Sequence, residues 1–314
     1  MTVTQRPQGR GPWPLIAAVL ALGVLAGALA FVLLNQPGVS SGPSPSPTAT
    51  PEPTLNAELL SNRQTVLLIG LDSDEARRAK GKGVNSDTIM VASLNADQSE
   101  LTLISIPRDT VDIPMPDGTT WNSKINAIDA SQGPDGLVGA VSELLQVDID
   151  GWVEIDMGDL VTLVDAVNGV RVNPHAPLTD RHLRLHIQPG RQLLDGQTAE
   201  GYVRTRVDND FQRAARQQEV LLQLAKRLSA PTADIDIPAL LDSLHSFDTD
   251  LPLDQMATLL ELVRRSESAK VTTQVLDPED GFMTFAGDRG DGRGYILEPN
   301  IEAMRQFAAA HLKD

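Results

Sequence analysis

Two carboxylates and an arginine stand where a strand-rich sequence would present chemistry. Asp72 follows the apolar run Thr65–Leu71, Arg108 follows the run Leu101–Ile106 by one proline, and Asp87 opens the run containing Ile89–Leu94. In open α/β sheets, ligands gather outside the carboxyl ends of the strands. Two carboxylates meeting at one rim suit a hard divalent cation such as Mg2+, which takes oxygen ligands and shares them with phosphates. The plainer alternative makes each aspartate a turn or cap residue.

A second group is denser. Residues 202–218 read YVRTRVDNDFQRAARQQ and place Arg204, Arg206, Arg213 and Arg216 within thirteen positions. Asp210 fits a helix N-cap, which makes Phe211 onward helical. Arg213 and Gln217 then share a face, with Asp210 on the turn above. Guanidinium forks at a helix N-terminus form a clamp for phosphate or pyrophosphate; the alternative is a solvated face of Arg–Asp pairs worth little each. His182 and His186 alternate with Leu183, Leu185 and Ile187, the pattern of a strand with one polar face rather than of a zinc pair on a helix. The sequence contains no nucleotide-binding glycine fingerprint, no nucleophile elbow and no cysteine. Thiol catalysis, disulfides and Cys-ligated metals are thereby excluded.

The elements that must hold these groups are short. Thr65–Leu71, Ile89–Leu94 and Leu101–Ile106 are nearly continuous aliphatic runs and read as strands buried on both faces, as in a sheet covered by helices. Helices are predicted at Pro134–Leu145, Met157–Val167 (ended by Asn168-Gly169), Phe211–Leu228, Asp254–Arg264 and from about Asn300. Further strands are predicted at Val170–Val172, His182–Ile187 and Val271–Leu276, and Gly290–Gly294 reads as a turn. No Pro/Gly-rich break divides residues 62–314, which implies one α/β domain with a central, mostly mixed sheet between helical layers.

Ahead of that domain lie two segments of different composition. Leu15–Leu34 is twenty residues without a charge, enough for a helix of about 30 Å that spans a bilayer. Arg6 and Arg10 precede it, so residues 1–14 are expected in the cytoplasm and everything downstream outside. Ala28-Leu29-Ala30 resembles a signal-peptide cleavage site, but the apolar run continues past it, favouring an uncleaved anchor. Residues 35–61 carry Pro37, Pro43, Pro45, Pro47, Pro51 and Pro53 among Ser, Thr and Gly and read as a semi-rigid stalk. The charge of the 314-residue chain is −16, from 26 basic and 42 acidic residues. Residues 1–61 contribute Arg6, Arg10, Glu52 and Glu58, which cancel, so the domain holds 26 − 2 = 24 basic and 42 − 2 = 40 acidic residues. So acidic a domain does not suit a nucleic-acid partner.

In order, VLLIGLDSD, NSDTIM, LISIPRDT, KINA, VEIDMGDLVTLVDAVNGVRV and YVRTR…DFQRAARQQ resemble the LytR–CpsA–Psr family over about residues 65–225. The resemblance implies a phosphotransferase outside the bacterial membrane, moving a glycopolymer from a polyprenyl-pyrophosphate carrier to a peptidoglycan hydroxyl. It implies Mg2+ held by Asp72, Asp87 and Asp210, and a pyrophosphate met by Arg108, Lys124, Arg206, Arg213 and Gln217. Arg204 competes with Arg206, because the spacing to Asp210 is shorter than the family often shows. Asp72, Arg108, Arg206 and Arg213 would be catalytic, with Asp72 taking the acceptor's proton. An apolar tunnel for the lipid is implied, its lining unassigned. Asn85 departs from the family's frequent arginine before Ser-Asp-Thr, and the loop carrying Arg77, Arg78, Lys80 and Lys82 lengthens the same edge. A non-catalytic binder of polyprenyl phosphate or wall polymer is the alternative; a transcriptional regulator is disfavoured, because an exported domain with so short a cytoplasmic tail does not reach DNA.

Overall fold

In the computed structural model, residues 55–71, 85–229 and 265–313 are described, with short stretches between 235 and 262. The expected anchor Leu15–Leu34, most of the stalk, Asp72 and the basic loop lie outside them, as does most of the expected helix at Asp254–Arg264. Among the described residues, no helix is long and apolar enough to cross a membrane.

A short helix, α1 (Ala57–Ser61), leads into β1 (Gln64–Leu71), which pairs antiparallel with β2 (Ser86–Leu94), itself antiparallel to β3 (Glu100–Ser105). Their alternation fixes which side chain faces which way. Val66 and Leu68 enter one core, while Leu67, Ile69 and Leu71 enter the other. A strand without a polar side chain from Val66 to Leu71 therefore serves two cores at once.

The small hairpin of β4 (Ile113–Pro114) and β5 (Thr120–Trp121) precedes α2 (Ile128–Leu145). Helix α2 starts a turn and a half before the expected Pro134. Gly133, at φ 74° and ψ 176°, breaks it into two pieces. The first piece is too short to show periodicity, and Pro134 opens the second, where its missing N–H costs nothing. Strand β6 (Gly151–Asp156) runs parallel to β1 and ends in α3 (Met157–Ala166), started by a capping box between Asp156 and Asp159. Asn168 and Gly169, both at positive φ, stop it.

Two small hairpin-like pairs follow. Strand β7 (Val170–Val172) pairs with β10 (Gln192–Leu194), and β8 (Leu178–Asp180) with β9 (Leu185–Ile187). The expected strand His182–Ile187 is thus half turn: Arg184 adopts φ 52°, which places His182 in the turn and His186 beside Thr179. Helices α4 (Gly196–Arg204) and α5 (Asp210–Ser229) come next. Strand β11 (Asp248–Thr249) adds to β6, and β12 (Lys270–Val275) lies parallel to β3, which completes a mixed sheet of order β11-β6-β1-β2-β3-β12. A hairpin of β13 (Met283–Asp288) and β14 (Tyr295–Pro299), with the Gly290–Gly294 turn at its tip, leads to α6 (Ile301–His311), capped by Asn300. Helices α3, α4 and α5 cover one face of the sheet and α2 and α6 the other.

Candidate active site

Asp87 is the hub. It sits near the start of β2, where the ladder with β1 bulges between Gly70 and Leu71 and brings Leu71 opposite Ser86. Gly70 permits this approach: a Cβ there would stand 2.7 Å from Thr88 Cβ. Although Asp87 is 8% exposed, three guanidinium groups reach it. Arg108 Nη1 donates to Oδ1 at 2.7 Å, Arg206 Nη2 to Oδ2 at 2.6 Å, and Arg213 Nη1 to Oδ2 at 3.2 Å.

The same three arginines flank Asp210. Arg213 Nε and Arg206 Nε lie 3.2 and 3.3 Å from its Oδ1, and Arg108 Nη2 lies 3.9 Å from Oδ2. Three cations and two carboxylates leave 3 − 2 = +1 at a buried site in a chain of net −16. Arg213 Nε with Asp210 Oδ1, and Arg108 Nε beside Asp109, are buried in ion-pair contact without hydrogen-bond geometry. An anion entering the pocket would meet the more exposed guanidinium edge, that of Arg206 above all.

Local structure places each group. Asn209, not Asp210, caps α5: its Oδ1 accepts from Gln212 N at 2.7 Å. Asp210 falls in the first turn instead and is free to face the arginines, with the positive end of the helix dipole beside it. The sequence offered Asn and Asp in tandem, both good caps, and spacing alone could not choose between them. Arg108 sits on a tight turn in which Thr110 N and Oγ1 both bond Pro107 O. The K-I-N-A segment is laid against that turn, with Ile125 N donating to Thr110 O at 2.7 Å.

Burial would raise the Asp87 carboxyl, but the hydrogen bond and charge of Arg108, then the charges of Arg213 and Arg206, outweigh it and hold it below the usual range. Arg213, at 4% exposure, moves the other way: burial, more than any neighbour, lowers it. Burial would lower Arg108, but the hydrogen bond to Asp87 together with the charges of Asp87, Asp109 and Asp210 raises it.

Beside this cluster runs an apolar groove between α3, α5 and the sheet, enclosing about 770 Å³, part of it open to solvent. Leu68, Met90, Leu160, Val220, Leu221 and Leu224 are among the side chains that line it. Gln217, whose Nε2 reaches Val203 O at 3.3 Å, borders both the groove and the arginine pocket.

Asp87, Arg108, Arg206, Asp210, Arg213 and Gln217 therefore converge on one pocket. Lys124 stands one step behind it, with Nζ 2.6 Å from Asp109 Oδ1. Arg204 pairs with Glu200 at 2.6 Å and borders the cluster from the α4 side. Arg216 is structural: it holds Asp208, Tyr202 O and Thr205 O, which staples the loop before α5 to the helix. Among the described residues no group of three His, Asp or Glu could hold a metal, and His182 and His186 do not form a site.

Asp109 is a residue that the sequence reading missed. At 7% exposure it joins Lys124 to Arg108, whose Nε is 3.6 Å away. Its place in the P-R-D triplet was the available signal.

The profile of the LytR_cpsA_psr family matches residues 40–307. The probable cell wall biosynthesis protein LcpB of Corynebacterium glutamicum is 39% identical over 179 residues, 52% of this chain and 42% of that protein. The chain thus spans less than half of that relative's length. The polyisoprenyl-teichoic acid–peptidoglycan teichoic acid transferase TagU of Enterococcus faecalis is 32% identical over 232 residues, covering 71% of this chain and 73% of TagU. The crystal structure of Bacillus subtilis TagV matches 80% of this chain and 98% of its own with a TM-score of 0.63 at 23% identity, a likeness of fold.

Proposed function

Since the chain belongs to the LytR–CpsA–Psr family, we propose that it is a phosphotransferase that moves a glycopolymer from a polyprenyl-pyrophosphate carrier to a hydroxyl of peptidoglycan. The observation that carries this reading is the set of three arginines around Asp87, one cation more than the two carboxylates they share, opening beside an apolar groove. The groove suits the isoprenoid chain because aliphatic side chains of α3, α5 and the sheet line it along its length. The arginines suit the pyrophosphate.

In the transfer, the acceptor oxygen attacks the phosphorus that bears the sugar. The bond from that phosphorus to the bridging oxygen breaks, and polyprenyl monophosphate leaves along the groove. The acceptor's proton goes to a carboxylate. Asp87 is held ionised and weakly basic by its arginines and is unsuited to take it; Asp72, next in sequence after β1, is the base that the family resemblance implies. Arg108, Arg206 and Arg213 neutralise the oxygens that gain charge, the main demand of phosphoryl transfer. Lys124 and Asp109 hold Arg108 in place.

We propose Mg2+ as the cofactor, with Asp87 and Asp210 offering hard oxygens once the guanidinium groups that now contact them turn to the phosphates. When bound, it would add a Lewis acid that shares the phosphate charge. We also propose that Leu15–Leu34 anchors the chain and that the segment from residue 35 up to α1 holds the domain outside the cell; the expected stalk ends earlier than residue 61, because α1 (Ala57–Ser61) packs Leu60 into the core.

The test is direct. The purified full chain, given a polyprenyl-pyrophosphoryl glycan, Mg2+ and a peptidoglycan acceptor, should release polyprenyl phosphate and label the acceptor. Tight donor binding without release would instead make it a binding protein.

A further inference from the structure

Tyr295 is one of two tyrosines in the chain. Its counterpart, Tyr202, is 2% exposed, whereas Tyr295 is 51% exposed at the first position of β14 and lines the arginine pocket. Leu297, two residues on and on the same face of the strand, lines that pocket too.

The backbone ties this strand to the catalytic turn. Leu297 N donates to Asp109 O and Val111 N to Leu297 O, both at 3.0 Å, so β14 is hydrogen-bonded to residues flanking Arg108. The hairpin is stiffened without help from the tyrosine. Arg293 Nη1 donates to Asp112 Oδ1 at 3.1 Å and to Asn122 O at 3.2 Å. Arg289 forks onto Glu298 at 2.9 and 2.7 Å and lies over the Phe285 ring. Tyr295 thus stands in fixed relation to Arg108. Among the described residues, its own ring and hydroxyl make no hydrogen bond or ring contact.

We propose that Tyr295 is the platform for a hexopyranose ring, the sugar that is joined to, or becomes joined to, the phosphate held by the arginines. The proposal rests on the phosphotransferase reading and deepens it. Helix α5 sets the direction: the groove follows Val220, Leu224 and Leu228, and the arginine pocket begins at Gln217 and extends to Asn209. With the lipid in the groove and the phosphates at Arg213, a sugar must occupy the part of the pocket that the groove does not reach. Tyr295 lines the pocket and not the groove. A pyranose offers a row of C–H bonds whose positive ends match the negative face of an aromatic ring. Asn209 and Asp210, in the same pocket, supply polar partners for its hydroxyls.

Incorporating 3-fluorotyrosine into the full chain gives two fluorine resonances, and Tyr295→Phe identifies the one that belongs to Tyr295. Three probes are titrated: inorganic pyrophosphate, glucose 1-phosphate and a peptidoglycan disaccharide. The Tyr295 resonance should move with a sugar-bearing probe and stay put with pyrophosphate alone. Movement with the sugar phosphate assigns the donor sugar, and movement with the disaccharide assigns the acceptor. No movement with either sugar, or equal movement with pyrophosphate, overturns the platform. In the transfer assay, Tyr295→Ala should raise KM for the substrate so identified about tenfold, roughly 1.4 kcal/mol. kcat should be unchanged and Tyr295→Phe near wild type; equal losses in Phe and Ala would show that the ring face is not what matters. If wild-type protein transfers nothing, the phosphotransferase reading fails while the fluorine result still decides the sugar site.

Discussion

Along one face of α5 the N-terminal half presents Asp210, Arg213 and Gln217, and the C-terminal half presents Val220, Leu221, Leu224 and Leu228. Arg213 and Leu224 are nonetheless buried to similar depth, at 4% and 2% exposure. From Asp210 to Leu228 the helix rises about 27 Å, so one element carries a site for charge and a site for hydrocarbon in continuity. Facing elements make the difference. Opposite Arg213 stand Asp87 and the Arg108 turn; opposite Leu224 stand the aliphatic side chains of β1 and β2. A guanidinium buried at such depth is tolerable only with counter-charges. The arrangement leaves donor capacity over, which is how a folded pocket can be ready for an anion before it arrives.

The comparison breaks most severely at Arg213. Arg213→Ala strips a cation from Asp87 and Asp210 together, and transfer should fall by about a thousandfold. Losing its buried ion pairs to both carboxylates should also cost about 3 kcal/mol in stability, read by denaturant unfolding. Unchanged turnover would mean that the pocket is a structural ion network only.

Asp87→Asn comes next, with an expected loss of about a hundredfold in kcat. Its acid behaviour sharpens the test. The folded carboxyl lies below its ordinary value, so its stabilising contribution is present above about pH 4 and is lost as pH falls through the lowered folded value. Wild type should therefore lose stability in that acid window, and Asp87→Asn should flatten the loss.

At the hydrocarbon end, Leu221→Gln places an amide on the half-buried wall of the groove. KM for a long-chain donor should rise about tenfold, near the value of a partly buried leucine, and KM for a donor with a single isoprene unit should not. Equal effects on both donors would remove the groove from lipid binding.

The smallest effect is expected at Asp129, which is 8% exposed like Asp87 but lacks arginines. Burial raises its carboxyl, and hydrogen bonds with Ser86 and Glu154 offset this only in part. The sign reverses accordingly: its contribution is present below its unfolded value near 3.9 and is lost as pH rises through the raised folded value. Asp129→Asn should leave stability at pH 7 within about 1 kcal/mol of wild type or above it. The variant's advantage should shrink toward pH 4. A loss as large as that of Asp87→Asn would show that depth, rather than the arginines, governs both carboxylates.

Much of the site was legible because its motifs are local. Asp87, Arg108 and the 204–217 arginines announce themselves in short, ordered segments, and a helical repeat puts Arg213 and Gln217 on one face without any tertiary knowledge. Asp109 was passed over because its partner, Lys124, is fifteen residues away on a segment with no regular period. Tyr295 was missed for the same reason at greater distance: it reaches Arg108 only through the pairing of β14 with residues 109–111.

The sequence by itself determined the α/β class and the apolar runs of the sheet, which follow from periodicity, and the family, which its ordered motifs resemble. It also showed the cluster of arginines, whose fixed chemistry suits an anion. Tertiary structure alone decided the division of labour among the arginines. Arg206 and Arg213 reach Asp87, Arg204 turns to Glu200, and Arg216 is consumed in holding its own loop. Four arginines within thirteen residues look alike along a chain. What separates them is which carboxylate each can reach, and that is set by strands and turns far away in sequence.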